Sequence, residues 1–121
     1  MKPQFLYLLH PIRPEMLTEG PTPQEQDTLQ RHFGYLSQGA AAGHVLMFGR
    51  TQTTGPETLG LVIFQADDAD AAFAFRDADP AVSDGVLEAH LYPYHVAGMG
   101  DPSLFDVYRP DANPEALPPE A

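Results

Sequence analysis

Two side chains far apart in the chain, His32 and Asp79, form the pair best suited to moving protons. An imidazole titrates near neutrality and can both take and give a proton. A carboxylate on its second ring nitrogen fixes the tautomer and stabilises the imidazolium. Each residue also has a plain structural use. His32 lies in a helical pattern and can be satisfied by a nearby carbonyl. Asp79 precedes Pro80 and can cap a short helical turn that starts there. The two uses of Asp79 are compatible, because a carboxylate has two oxygens to offer.

The remaining chemistry-bearing residues give weaker patterns. His10, His44, His90 and His95 lie in or beside strand-like runs and match no ligand motif such as H-E-x-x-H, so no metal site is expected. The chain has no cysteine, which excludes disulfides, thiolate metal sites and cysteine nucleophiles. No serine sits in a nucleophile-elbow motif. Ser37, five residues after His32, is a candidate ligand contact, set against an ordinary exposed polar residue. Arg13 and Arg50 are the best candidates to hold an anion in an acidic chain, and His10, Tyr7 and Tyr92 can line the same pocket. There is no glycine-rich phosphate loop and no other cofactor signature, so no cofactor is expected.

Those residues must be positioned by a small domain. The chain has 121 residues and a formal charge of −11, from 17 acidic and 6 basic side chains. Its field repels polyanions, which argues against nucleic acid and against an anionic membrane surface. The apolar run near the N-terminus is ended by His10-Pro11, too soon for a signal peptide or a transmembrane helix. A cytoplasmic protein is the expectation. An apolar content of 43% supports one ordinary core, and pairing with a second copy would add to it.

Periodicity assigns the elements. Residues 4–10 read as a central strand, apolar on both faces in its middle and closed by Pro11. Residues 11–21 read as a loop. Thr22-Pro23-Gln24-Glu25 is a capping box that opens a helix reaching about Ala42, with Gly43 as its C-cap. Leu29, Phe33, Leu36 and Ala40 form its apolar stripe, with His32 on the stripe's edge. Residues 44–50 and 59–65 predict two strands of an antiparallel hairpin, with Gly55-Pro56 at its tip. Asp67 or Asp68 caps a second helix, whose buried face is Ala69, Ala72 and Phe73, and which stops near Asp77. Pro80 to Ser83 predicts one further helical turn, closed by Gly85. Residues 86–96 predict the last strand, in which Pro93 implies an edge, a bulge or a strand end.

Residues 1–97 thus form one domain, and residues 98–121 form an acidic, Pro-rich C-terminal tail. Within the tail, 104–108 predicts a short strand or an arm, and disorder is expected from Pro110 onward. The order strand, helix, strand, strand, helix, strand describes an α+β fold, a ferredoxin-like βαββαβ sandwich with an extra C-terminal arm. Helices cover one sheet face. The other needs cover, most simply from a second copy, so a homodimer through the sheet face is expected.

Two stretches resemble the YCII-related domain family, the YciI-like proteins. One is the spacing of His32, Leu36, Gly43 and Gly49. The other, more specific, is Asp77-Ala78-Asp79-Pro80-Ala81-Val82-Ser83-Asp84-Gly85-Val86. The resemblance spans roughly residues 4–96 and departs from the family pattern at Leu29, where Arg is frequent, and at Arg50, where Pro is frequent. It implies a dimeric α/β-barrel arrangement of ferredoxin-like domains and a His–Asp site, which falls here on His32 and Asp79. It also implies a lyase or isomerase rather than a hydrolase. The resulting expectation is a small enzyme that uses general acid–base chemistry on a cyclic or aromatic molecule. The alternative is a non-catalytic dimeric module that binds a small molecule or a protein.

Overall fold

The computed structural model describes residues 2–110. Four strands, β1 (Gln4–Pro11), β2 (Val45–Arg50), β3 (Gly60–Gln65) and β4 (Leu87–Tyr94), pair antiparallel in the order β2-β3-β1-β4. Between them run the helices α1 (Glu15–Thr18), α2 (Pro23–Ala41), α3 (Ala69–Asp77) and α4 (Pro80–Ser83). This α+β arrangement is consistent with a ferredoxin-like fold.

Strand alternation builds the core. Phe5, Tyr7 and Leu9 on β1 and Val62 and Phe64 on β3 are buried with Leu36 and Ala72 from the helices. Phe64 packs on Phe5, Tyr7 and Phe75, at ring-centroid distances of 5.9, 5.6 and 4.8 Å. The intervening residues face the other way, onto a sheet surface that no helix among the described residues covers. Along β2 the register shifts between Val45 and Met47, a bulge that lets both Val45 and Phe48 oppose inward-facing residues of β3.

The predicted caps are present. Thr22 accepts from the Glu25 amide while the Glu25 side chain accepts from the Thr22 amide. Asp68, rather than Asp67, caps α3 by accepting from the Ala71 amide at 2.8 Å. Gly43 takes φ 85°, the left-handed conformation that suits glycine after a helix.

Several expectations are corrected. Residues 15–18 form a helical turn inside the segment read as loop. The fully buried residues of α2 are Thr28, Leu36 and Gly39; of the expected stripe, Leu36 is buried and Ala40 packs against the core, but Leu29 and Phe33 are only partly covered. The shift moves His32 from the edge of the buried face to its middle. Gly39 explains it: a Cβ there would lie 2.7 Å from Val45 Cγ2, so the helix backbone approaches β2 at this point. On α3, Phe73 is 46% exposed beneath the Arg76 guanidinium, and Phe75 points inward instead. Beyond β4, residues 104–108 form no strand. Pro102–Leu104 make a 3-10 turn, and Tyr108 packs on Phe33 at a ring-centroid distance of 5.6 Å. Pro110 is buried, and the rest of the segment expected to be disordered, 111–121, lies outside the described residues. No helix among the described residues is long and apolar enough to cross a membrane.

Candidate active site

The Asp79-Pro80 dipeptide places the carboxylate. A residue before proline is steered away from the helical region, and Asp79 sits at ψ 124° between α3 and α4. Its side chain caps α4 through the Ala81 amide, which donates to Oδ1 at 3.0 Å. The cap position turns the rest of the carboxylate toward α2 and β1. Asp79 is fully buried, a costly place for a carboxyl group unless its lone pairs are satisfied.

Two further donors meet it there. His32 Nδ1 lies 2.7 Å from Oδ1 and 2.9 Å from Oδ2. The Tyr7 hydroxyl donates to Oδ2 at 2.8 Å. Burial, with the adjacent Asp79 carboxylate second, pushes the Tyr7 phenol far above its ordinary value, so it stays protonated and remains a donor. A neighbouring phenol, Tyr35, is pushed up to about 12 by the same two causes and donates to the Phe75 carbonyl at 2.7 Å. An ionised carboxylate can only accept, so beside an ionised Asp79 a neutral His32 would carry its hydrogen on Nδ1 and leave the lone pair on Nε2. The His32 side chain keeps 17% of its surface exposed while Asp79 keeps none. The arrangement is an imidazole at the protein surface, held from below by a buried acid that is itself held by a buried phenol. Such a group can accept a proton at Nε2 and return it.

The other residues singled out from sequence do not gather around this pair. Arg13 is engaged by Glu25, Nε to Oε2 at 2.9 Å and Nη2 to Oε1 at 2.7 Å, so it braces the start of α2 instead of offering itself to an anion. The Arg13 contacts, followed by the Thr22 amide, hold the Glu25 carboxyl down to about 2. Tyr7 is fully buried and serves Asp79, which corrects its place as a pocket lining. The Ser37 hydroxyl is buried, with no hydrogen-bond partner among the described residues, rather than presented to a ligand. Arg50 is exposed at the end of β2, opposite Gly60. His10 stands on β1, where alternation puts it on the sheet face opposite Tyr7. Tyr92 is 47% exposed and pairs in register with Leu6, also on that open face. Asp84 accepts from Thr28 Oγ1 at 2.8 Å and from Arg31. A cleft of about 730 Å³ opens there, lined by Glu25, Thr28, Arg31 and Asp84 among others.

The link that sequence reasoning missed was Tyr7 to Asp79. Its signal was present: a tyrosine between Phe5 and Leu9 on the inward side of β1 must find a partner for its hydroxyl.

The YCII-related domain matches residues 5–93, and the chain belongs to that family. Among solved structures, it is similar to the 5-chloro-2-hydroxyhydroquinone dehydrochlorinase TftG from Burkholderia phenoliruptrix AC1100, in complex with 2,5-dihydroxybenzoquinone. The TM-score is 0.55 at 18% identity, covering 75% of this chain and 93% of that one, a likeness of fold. No protein of curated function matches the chain.

Proposed function

We propose that the protein is an enzyme that moves a proton on a small cyclic or aromatic molecule, in an elimination or an isomerisation. His32 is the acid–base group and Asp79 its positioning partner. One observation carries this reading: a fully buried carboxylate lies 2.7 Å from Nδ1 of a histidine whose ring reaches the surface. In the elimination, Nε2 takes a proton from an O–H or C–H of the substrate. The electron pair left behind forms a new double bond, and the leaving group departs with the pair of its own bond to carbon. In an isomerisation the imidazolium returns the proton to a second atom of the same molecule. The dehydrochlorinase, named for a substrate that is a chlorinated hydroxyhydroquinone, supplies the substrate class to try first.

The same reading includes a homodimer through the open sheet face. Met47, Ile63, Leu6 and Tyr92 form one row across all four strands of that face, with Leu61 and Leu8 beside it. Met47 is 56% exposed and Tyr92 47%, an apolar centre that a second copy would cover. Light scattering should give twice 13.2 kDa for the wild type and 13.2 kDa for Met47→Glu combined with Tyr92→Glu.

A non-catalytic binding module is the competing reading, and one observation favours it. Neither the cleft beside Asp84 nor a second one, about 500 Å³ beside His10, is lined by His32. The deciding experiment incubates wild type and His32→Ala with chlorinated hydroxyhydroquinones, quinones and lactones, and follows chloride release and ultraviolet absorbance. Turnover by the wild type and a loss of at least about a hundredfold in His32→Ala is expected. Ligands that stabilise both proteins equally against heat, without turnover, would sink the enzyme reading.

A further inference from the structure

The open sheet face carries a second group of side chains. β1 and β4 are neighbours, and their register sets His10 opposite Glu88. Alternation puts His90 on the same face as Glu88, away from the His32–Asp79–Tyr7 network beneath the helices. One ligand atom from each of His10, Glu88 and His90 falls within 4.8 Å of the other two. His90 Nε2 is 3.5 Å from Glu88 Oε1, and the rings of His10 and His90 meet edge to face with centroids 6.2 Å apart.

We propose that His10, Glu88 and His90 bind one divalent transition-metal cation of the zinc type. The donor set of two imidazole nitrogens and one carboxylate oxygen suits a borderline cation, whereas calcium and magnesium favour all-oxygen sites. Ligands at about 2.0–2.1 Å in a tetrahedron lie roughly 3.4 Å apart. The His90–Glu88 separation already matches that spacing. In the single chain Glu88 and His90 are exposed, four and two residues along β4 from Tyr92 and so beside the row that a second copy would cover; ordinary rotamer changes can draw the set together, while His10 is partly buried and gives it a fixed point. Two ligands stand on one strand and the third on its hydrogen-bonded neighbour, so the backbone holds their Cα positions before any ion arrives. His10 also lines the 500 Å³ cleft with Glu15 and Thr18, which lets a hydrated ion approach. The net charge of −11 raises the local concentration of cations. Three protein ligands leave at least one position for water.

The test uses the untagged full chain, titrated calorimetrically with zinc chloride and, separately, with cobalt(II), whose visible absorption reports coordination. One ion per chain is expected. His10→Ala, Glu88→Gln and His90→Ala should each weaken binding at least about tenfold, while His32→Ala, His44→Ala and His95→Ala leave it unchanged. Glu88→Gln and His90→Ala change exposed side chains, so they keep the test valid if His10→Ala unfolds. No saturable binding, or binding indifferent to His90→Ala and Glu88→Gln, overturns the proposal. So does binding lost in His32→Ala, which would place the ion at the other site.

Discussion

The hydroxyl of Tyr7 donates to Asp79 Oδ2 at 2.8 Å, although 72 positions of sequence separate them. Both side chains are fully buried, so no bulk water can replace the phenol if it is removed. Tyr7→Phe should therefore destabilise the fold by about 1–3 kcal/mol, the range for stripping a partner from a buried hydrogen-bonding group. Urea unfolding of the two proteins measures it. A change below a few tenths would mean that Asp79 finds another donor.

Asp79→Asn tests the tautomer. An asparagine can still accept from the Ala81 amide, so α4 should keep its cap. Where its amide NH₂ faces Nδ1 of His32, that nitrogen must accept and the hydrogen must move to Nε2. Nitrogen-15 spectra of the imidazole should record the exchange, and any proton abstraction by Nε2 should fall at least about a hundredfold. An unchanged spectrum and unchanged turnover would separate Asp79 from the chemistry.

Alkaline stability follows from the two phenols. Burial and the Asp79 carboxylate raise Tyr35 to about 12 and Tyr7 further, against about 10 in an unfolded chain. The folded state then holds more protons than the unfolded state above pH 10. Their contribution is complete below pH 10 and is lost as pH rises through the folded values. The urea midpoint should fall between pH 10 and 12, and a double variant carrying Tyr7→Phe and Tyr35→Phe should show a flatter profile.

On the acid side the sign reverses. The Arg13 contacts, then the Thr22 amide, lower Glu25 from 4.5 to about 2. Its contribution is present above pH 4.5 and is lost as pH falls toward 2. Replacing Arg13 by Gln should flatten the melting temperature profile across that interval. An equally steep profile in the variant would assign the acid sensitivity to other carboxylates.

Local rules made much of this molecule legible. Thr22, Pro23 and Glu25 announce a helix start by chemistry confined to one turn, and the Asp79-Pro80 pair declares its bend the same way. The family resemblance brought His32 to Asp79. The misplaced α2 stripe came from judging Leu29 and Phe33 by hydrophobicity alone, whereas the approach of Gly39 to Val45 decides which side of the helix faces the sheet. Arg13 was misread because its partner, Glu25, was counted only as half of a capping box. In the His10, Glu88 and His90 group only the Glu88-x-His90 alternation is local, and strand register, not chain proximity, brings His10 to it.

The bulge in β2 and Pro93 in β4 stand on the two outer strands of the sheet. Each interrupts the row of backbone donors and acceptors that a foreign strand would need to add to the sheet. Growth by edge-to-edge stacking is thereby discouraged at both ends, and filaments built from this sheet have no clean starting template. Under the proposed pairing, association is left to the broad face of the sheet, where it would end after one partner.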